Sequence, residues 1–539
     1  MLPSKLILPT FATTTRRHYS IATTAAAAIG RSVSSLVLNT SETVIRNSKN
    51  VSRRAYYHNN SYSGIPRQVN VVGAKSLVRE GCKAQTPKPP STTALIREVL
   101  DDALEQAGLT TLDLDGVVAV PSLYGNHFME AHYQATALGL FAERETQTFE
   151  SSSSSTQKSP RPLRCRTLDT GGAGPVSAVL EAERMISSSS SSSSGEGLEV
   201  VAVIAADTVG SMTGKDFLDK ADAIFFKLRD ELGLPKNSVT SPAIPHGYDR
   251  ITDHQLSTTS LQGEQLQMVV SLESFHAGLH PESLQSQKTR AKAKTIGTSN
   301  SDDNGDIDKE AYPFTTLEQI QSSPSITPNI SLLECARRAD GAACLILASN
   351  RFLKRRNLWK PGIPAVIGGG QFSGPLYPPT TGITDHTYVS CQQAMDHAYA
   401  SAGNLTARDI QYFGLYDCFP ICLIRAVEAC GLAGEGCGQD CTTGGDYIEK
   451  QYDRMLAAMD DGTVEALIAD PAFFPINTHG GLLCFGAPWE VPAMFGVVEA
   501  VDQITGRSSG RPIGDCRRAL VYGNGGILSA SAVAILAAS

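Results

Sequence analysis

The sequence predicts an α/β fold built from two repeated halves. Apolar runs rich in β-branched residues alternate with amphipathic segments: QVNVVGAKSL is followed by TTALIREVLDDALEQAGL and then by DGVVAV. This alternation is typical of buried strands covered by helices. The segment DDALEQAGLTTLDLDGVVAV, from Asp101, also matches MDHAYASAGNLTARDIQYFGLYD, from Met395. Each predicts a helix, an Ala-Gly end, an acidic turn and a strand, and such repetition indicates two similarly folded halves.

The same pattern continues along the chain. A helix in AVLEAERMI leads to a strand in EVVAVIAAD, and PAVIGGG, ALVYGNGG and AVAILAA predict three later strands. With 41% hydrophobic and 19% charged residues, the 539-residue chain is long enough to bury a large core.

Composition excludes several classes of partner. The formal net charge of −8 provides no basic field for nucleic acid. No apolar run approaches the roughly 20 residues that a membrane-spanning helix needs. We therefore expect small molecules or proteins as partners.

The twelve cysteines lie mostly in apolar surroundings, which favours reduced, buried thiols. Three of them, Cys430, Cys437 and Cys441, form a cluster without paired C-x-x-C spacing or a nearby histidine. A zinc site there would need a fourth ligand from elsewhere, so the expectation is no metal and a Gly-rich loop with incidental thiols.

Residues 1–66 differ from the rest. They are rich in Ser, Thr, Ala and Arg, and Glu42 is their only acidic residue. This composition is typical of a transit peptide and predicts import into the mitochondrial matrix. The alternative is a disordered terminus on a cytoplasmic protein.

Low-complexity runs interrupt the structured blocks at residues 150–160, 187–197 and 286–310. They contain almost nothing to bury, so they are predicted to be mobile surface loops.

Several blocks occur in an order and spacing that point to one family. They include VVGAKSLVREG, LQGEQLQMVVSLESFHAGLHPESL, LYDCFPICLIRAVEACGL and NTHGGLLCFGAPWEVPAMFGVVEAVDQITG. Over residues 67–539 the chain resembles the thiolases, especially the sterol-carrier-protein type.

The resemblance implies a layered α-β-α-β-α fold with an inserted loop domain. The first half would comprise residues 67–214 and 328–360, the loop domain residues 215–327, and the second half residues 361–539. It implies a coenzyme A thioester as substrate or ligand, no other cofactor, and a homodimer. Related thiolase-like aldolases also recruit small OB-fold partners.

Thiolase chemistry, as the resemblance implies it, needs a nucleophilic Cys, a His that activates it and a second Cys as acid/base. The nucleophile position falls on Gly172 in LDTGGAGPVSAVLEA, and the base position falls on Ala487 in Gly-Ala-Pro. The C-terminal Cys-x-Gly-Gly reads Gly-Asn-Gly-Gly from Gly523, and the His of His-Asp-Cys-Phe is Tyr416. Cys165 lies before the helix start and is poorly placed to substitute. Ordinary thiolysis or Claisen condensation is therefore not expected.

The remaining candidate catalytic groups are Tyr416, Asp417 and His479. Tyr416 would donate to, or take a proton from, a substrate oxygen, unless its ring only packs at a strand end. Asp417 either acts in catalysis or caps the helix entered through Phe419. His479 is either a replacement base or a ring that hydrogen-bonds the backbone of the following glycines. Cys484 is a weaker candidate, since GLLCFG predicts a buried strand.

The resemblance assigns substrate-binding positions to a set of mostly glycine residues: Asn477, Gly480, Gly481, Gly486, Gly525 and Gly526. The segment HGYDR, residues 246–250, falls in the region where thiolases bind coenzyme A, but it is predicted to be a solvated loop.

Function hypotheses of two classes remain. One is an enzyme acting on acyl-CoA thioesters by altered chemistry, such as retro-aldol C–C cleavage that uses Tyr416. The other is a non-catalytic lipid or acyl-CoA carrier or scaffold subunit. Both describe a thiolase-like protein of acyl-CoA and lipid metabolism.

Overall fold

The computed structural model describes residues 68–82, 90–151, 162–188, 197–296, 312–378, 383, 390–434 and 441–539. The predicted transit segment, residues 1–66, lies outside this part of the chain, as do Cys437 and most of the three low-complexity runs. Residues 67–539 form one compact unit.

Eleven strands occur in the described residues. They are β1 Val69–Arg79, β2 Gly116–Ala119, β3 Arg164–Thr167, β4 Val200–Asp207, β5 Ser325–Thr327, β6 Ile330–Ser331, β7 Asp340–Ser349, β8 Pro364–Ser373, β9 Tyr412–Gly414, β10 Arg518–Gly525 and β11 Ala530–Ala538.

The helices alternate with these strands. In the first half and the loop region they are α1 Thr92–Ala107, α2 Glu130–Ala137, α3 Leu140–Ser151, α4 Gly174–Ser188, α5 Gly214–Glu231, α6 Ala243–Thr258, α7 Gly263–Leu279, α8 Leu284–Ile296 and α9 Leu317–Gln321. The later ones are α10 Asn350–Arg355, α11 Ser390–Ser401, α12 Pro420–Ala429, α13 Gly444–Asp460, α14 Val464–Ala469 and α15 Pro492–Thr505.

Nine strands form one sheet in the order β3-β2-β4-β7-β1-β8-β11-β10-β9, and β5 pairs with β6 separately. The order β2-β4-β7-β1 is mirrored by β9-β10-β11-β8, so the two halves repeat one topology. They join where Val69 pairs with Val366 and Asn70 with Ala365. The predicted α/β fold of two repeated halves is confirmed.

The repeat extends to individual hydrogen bonds. After α1, the Thr110 backbone N–H donates to the Asp113 carboxylate at 2.9 Å, and after α11 the Thr406 N–H donates to Asp409 at 2.9 Å. Each pair closes a short 3-10 turn before the next strand, β2 or β9. A shared local sequence therefore produces the same helix, turn and strand twice.

Layering follows from how the helices cover the strands. Helix α1 packs on β1, β4 and β7, and α11 packs on β8 and β11. Helices α4 and α15 contact each other and strands of both halves. Most of their residues are buried, as expected for a central layer between two outer layers. Each of these central helices begins at a segment singled out above, near Gly172 and after Ala487.

Three local predictions are corrected. Residues 286–296, predicted as loop, belong to α8. HGYDR lies within α6, and its Tyr248 is fully buried because α6 packs on the end of β10. GLLCFG, predicted as a buried strand, is a buried π-helical turn over Gly481–Phe485, because a neighbouring carboxylate accepts its first free N–H groups. No helix in the described part of the chain is long and apolar enough to cross a membrane.

Candidate active site

Tyr416 fills the space beside Gly172, the residue at the predicted nucleophile position. Gly172 lies in a 3-10 turn, Gly171–Ala173, that leads into α4. A Cβ built on Gly172 would lie 2.5 Å from the Tyr416 ring carbon Cζ, and closer still to its hydroxyl. The same Cβ would also overlap the Asn524 backbone carbonyl. The absence of a side chain at Gly172 is therefore what lets the phenol reach the helix start.

Tyr416 is 6% exposed and follows β9. Burial, together with the charges of Cys418, Cys422, Glu490 and Asp417, raises its pKa well above the usual value of a phenol. The hydroxyl therefore stays protonated near neutral pH. It can donate a hydrogen bond to a substrate oxygen, but it is a poor base.

The predicted base position carries no proton chemistry. Ala487 is buried, its N–H donates to the Arg337 carbonyl at 2.7 Å, and its carbonyl accepts from Ala339 N–H at 3.3 Å. Gly486, just before it, lies with φ 133° against Val78 and Leu284, in a backbone conformation that side chains rarely adopt. The segment thus keeps its position in the fold without a reactive side chain.

Asp417 is a cap, but not of the helix expected. Its fully buried carboxylate accepts hydrogen bonds from Leu482 N–H at 2.9 Å and Leu483 N–H at 3.1 Å, at the start of the π-helical turn. Helix α12, which begins at Pro420, has no side-chain cap from Phe419. A Cβ at Gly481 would lie 2.6 Å from the Asp417 carboxyl carbon, so only glycine allows this approach. Burial raises the Asp417 pKa to about 7.

Asn477 connects the two polar loops. Its Oδ1 accepts from Leu415 N–H at 2.8 Å, and its Nδ2 donates to the Leu415 carbonyl at 2.7 Å and to Glu273 Oε1 at 3.0 Å. The amide therefore holds the strand that leads to Tyr416. Glu273, on α7, was not found from the sequence, because nothing local marks a carboxyl group that becomes fully buried only on folding.

His479 lies with these groups but has no backbone partner. Its Nδ1 is buried without a hydrogen-bond partner among the described residues, so the expected bond to the glycine backbone is not formed. The ring stacks edge-on against Phe485 at 5.1 Å. Burial, with the charge of His280, lowers its pKa to about 3, so the imidazole is neutral. Cys484, nearby, has a pKa raised by burial and by Glu273, which disfavours the thiolate.

A small cavity, with space for about one water molecule, brings these residues together. Tyr416, Asp417, Asn477 and His479 share it with apolar and glycine residues from β9, β10 and α15. Ligand pockets usually measure roughly 300–1,000 Å³, so a cavity of this size cannot by itself hold an acyl group. Of the predicted substrate-binding positions, Asn477 lines it, and Gly480, Gly481, Gly486, Gly525 and Gly526 do not.

A second polar cluster, which the sequence did not reveal, lies beside Gly172. The Tyr248 hydroxyl donates to the Gly526 carbonyl at 2.9 Å and accepts from Asn524 Nδ2 at 2.6 Å. Asn524 Nδ2 also reaches Cys422 Sγ at 3.8 Å, and its Oδ1, in a residue 1% exposed, has no partner among the described residues. Tyr248 comes from α6, so only the tertiary fold places it here.

Cys165, the thiol nearest in sequence to Gly172, offers no alternative nucleophile. Cys165 lies in β3, and burial raises its pKa to about 11. Within the described ranges, no three His, Cys, Asp or Glu side chains converge as a metal site would require.

Comparison with known proteins shows which family and which folds the chain is similar to. Residues 380–451 and 459–538 match the family model described as "Thiolase C-terminal domain-like". The chain is 27% identical over 216 residues to sterol carrier protein 2 of Gallus gallus, a match that covers 39% of this chain and 35% of the relative. It is 29% identical over 218 residues to the 17-hydroxy-3-oxo-4-pregnene-20-carboxyl-CoA lyase of Mycobacterium tuberculosis, covering 39% and 48%.

These matches span less than half the length of either relative. Among solved structures, the chain is similar to the Ltp2-ChsH2(DUF35) aldolase, with a TM-score of 0.59 and 21% identity, over 87% of this chain and 98% of that one. At that identity, the likeness shows the fold alone. The chain is a thiolase-superfamily protein, similar to sterol-carrier-protein thiolases.

Proposed function

We propose that this protein binds acyl-CoA thioesters and cleaves a C–C bond in a 3-hydroxyacyl-CoA by a retro-aldol reaction. The observation that carries the proposal is that the Tyr416 hydroxyl fills the place of a side chain at Gly172. The site has thus lost the group that would form an acyl-enzyme and has gained a buried hydrogen-bond donor at the same point.

The chemistry suits that exchange. When the C2–C3 bond breaks, its electron pair becomes the enolate of the thioester, and negative charge develops on the thioester oxygen. A protonated phenol in a buried site stabilises such charge more than it stabilises the ground-state carbonyl. Hydrolysis and thiolysis, in contrast, need the missing nucleophile and base.

The relatives support the same direction. The Mycobacterium tuberculosis relative is named as a lyase of a CoA thioester, and a solved structure of similar fold is named as an aldolase. No cofactor other than the coenzyme A thioester itself, as substrate, is part of the proposal.

The test uses the full chain. Isothermal titration with acetyl-CoA, acetoacetyl-CoA and a bulky 3-hydroxyacyl-CoA is combined with product analysis of each mixture. The bulky thioester is expected to bind and to give a shortened acyl-CoA and a carbonyl compound. Tyr416→Phe should keep binding and lose roughly 10²–10³-fold in cleavage rate. Rapid thiolysis of acetoacetyl-CoA, or cleavage unchanged in Tyr416→Phe, would contradict the proposal.

The second candidate function is a non-catalytic acyl-CoA carrier or scaffold subunit. The observation in its favour is that both the nucleophile and base positions are small residues, Gly172 and Ala487. Tight binding without any turnover in the same titrations would establish it instead.

We also propose a homodimer through the exposed edge of the sheet. Strand β3 is at one end of the nine-stranded sheet. Helix α2 lies beside β3, where Ala131 N–H donates to Thr167 Oγ1. The loop before α2 exposes Tyr124, Phe128 and Met129. Phe128 is 88% exposed. The outer edge of β3 pairs with no other strand in the described part of the chain, and such an edge next to exposed aromatic side chains fits a second copy of the chain.

Sedimentation of Phe128→Asp tests the dimer, with Leu232→Asp as the control because Leu232 is 62% exposed elsewhere. A mass that halves only in Phe128→Asp supports the interface, and a monomeric wild type rules it out. A small OB-fold subunit is the alternative occupant; the two-component name of the similar aldolase motivates co-expression with such a protein in the same experiment.

Residues 1–66 are proposed to direct the protein to the mitochondrial matrix, because their composition is that of a transit peptide. A fluorescent protein fused behind this segment should accumulate in mitochondria. A diffuse cytoplasmic signal would contradict the proposal.

A further inference from the structure

Retro-aldol cleavage needs a base for the 3-hydroxyl group, and the candidates taken from the sequence do not supply one. Tyr416 keeps its proton. The Asp417 carboxylate is occupied by the two N–H groups of the π-helical turn, and His479 has a pKa of about 3. Asn477 uses its amide on Leu415 and Glu273.

Glu490 lies three residues after the vacated base position, between Ala487 and the start of α15 at Pro492. Its neighbour Trp489 has φ 51°, a left-handed backbone conformation that is uncommon for a bulky residue. The cost of such strain is typically met at functional sites. Two residues before Trp489, Ala487 forms an isolated parallel bridge with Arg338.

The Glu490 carboxyl group is buried but not satisfied. Its Oε2 atom has no hydrogen-bond partner among the described residues. Trp489 offers the carboxylate a side-chain hydrogen bond. A buried carboxyl oxygen without a partner is costly in a folded protein, and it is the acceptor that a substrate hydroxyl needs.

The chain on either side of Glu490 lies at the same site. Pro492 and Ala493, which follow it, line the cavity with Tyr416. A Cβ on Gly341, which pairs with Asp207 of β4, would lie 3.0 Å from the Pro488 ring.

Asp169, three residues before Gly172, Asp207 and Tyr416 also interact electrostatically with Glu490. Asp207 already accepts from Leu123 and Thr208 N–H groups, so it is committed to the backbone. These interactions come from the turn before α4, from β4 and from the residue after β9, and those segments surround the start of α4.

We propose that Glu490 is the acid–base residue of the C–C cleavage, taking the place of the missing histidine. This inference rests on the retro-aldol function proposed above. The Glu490 carboxylate takes the proton of the 3-hydroxyl as the C3–O bond becomes a carbonyl. The C2–C3 electron pair passes into the thioester enolate, whose oxygen accepts a hydrogen bond from Tyr416. The Glu490 carboxylic acid then returns the proton to C2, so the reaction needs no other reactant.

The electrostatics fit a group that serves both steps. Burial, with the charges of Asp169 and Asp207, raises the Glu490 pKa to about 8, and the Trp489 hydrogen bond opposes the shift. Near neutral pH both the acid and its conjugate base are present in usable amounts, which is the condition for efficient general acid–base catalysis.

The experiment compares the wild-type full chain with Glu490→Gln, Tyr416→Phe and the control Glu105→Gln, at an exposed position on α1. Affinity for the bulky 3-hydroxyacyl-CoA is measured by titration calorimetry, and cleavage is measured as a function of pH. Glu490→Gln should bind like wild type and lose roughly 10²–10⁴-fold in rate. The rise of the wild-type rate through pH about 8, as the carboxylate forms, should vanish in this variant. Tyr416→Phe should be slow but retain that rise.

A partial reaction gives a second readout. By microscopic reversibility, Glu490 should also remove a C2 proton from the shortened acyl-CoA product, so wild type in D₂O should exchange that proton and Glu490→Gln should not. If Glu490→Gln cleaves at the wild-type rate or keeps the pH rise, the base is another group, and the retro-aldol function stands. If wild type neither cleaves nor exchanges, the function and the role of Glu490 are both overturned.

Discussion

The Tyr416 hydroxyl occupies the space that a side chain at residue 172 would take, with its ring carbon Cζ 2.5 Å from the position of a Cβ there. The two residues meet in the fold although they are 244 positions apart in the chain, since one lies in the turn that leads into α4 and the other follows β9. The lack of a side chain at Gly172 and the position of the phenol are therefore sterically linked.

The first prediction follows from that overlap. Gly172→Cys should not restore thiolase chemistry and should lower the free energy of unfolding by about 1–3 kcal/mol, because the new side chain has no space. Tyr416→Ala should relieve only part of the loss in the double variant, because the Asn524 backbone carbonyl still overlaps the new Cβ. A double-mutant cycle measured by chemical denaturation checks this, and additive effects of the two changes would contradict the steric coupling.

The second prediction concerns Asp417. Asp417→Ala should destabilise the protein by roughly 2–5 kcal/mol, because two buried N–H groups, of Leu482 and Leu483, lose their acceptor. Asp417→Asn should cost less, since its amide oxygen still accepts one bond. Denaturant unfolding of both variants gives the comparison. Equal losses would mean that the hydrogen bonds to the turn contribute little.

The third prediction is a pH dependence of stability. His479 has a folded-state pKa of about 3, and an unfolded histidine has about 6.5. Between these values the unfolded chain binds a proton that the folded chain does not, so stability falls as the pH drops from about 6.5 towards 3. The His479→Leu variant cannot take up this proton on unfolding. Its free energy of unfolding should therefore change less steeply with pH, by a slope difference approaching ~1.4 kcal/mol per pH unit.

Melting or denaturant curves at several pH values test the slope. His132→Phe, at an exposed position, is the control and should keep the wild-type slope. A His479→Leu slope that equals wild type would show that the imidazole is hydrated or protonated in the folded protein.

The fourth prediction concerns the contact between the loop region and β10. Tyr248→Phe removes the donor to the Gly526 carbonyl and the acceptor of Asn524 Nδ2. The buried groups left without partners should reduce stability by about 1–3 kcal/mol. Tyr452→Phe, whose hydroxyl makes no hydrogen bond within the described residues, is the matched control. Equal stability of the two variants would contradict a structural role for the Tyr248 hydroxyl.

The local sequence was sufficient to predict the helices and strands and their repetition in the two halves. Hydrophobic periodicity and turn residues act over a few positions, so α1 with its Thr110 to Asp113 turn could be predicted, together with its counterpart in α11. The assignment of Gly172 and Ala487 to the nucleophile and base positions rests on the spacing of their segments and stays a prediction.

Tertiary structure determined the contacts that the polar side chains around the site make. Asp417 caps a turn 65 residues away rather than the next helix, and Tyr248, predicted in a solvated loop, is buried against β10. Glu273 and Glu490 showed no signal in the sequence, because a carboxyl group becomes unusual only when folding removes it from water. The sequence alone thus determined the fold and the small residues at positions 172 and 487. Packing between distant segments determined which polar side chains lie beside them.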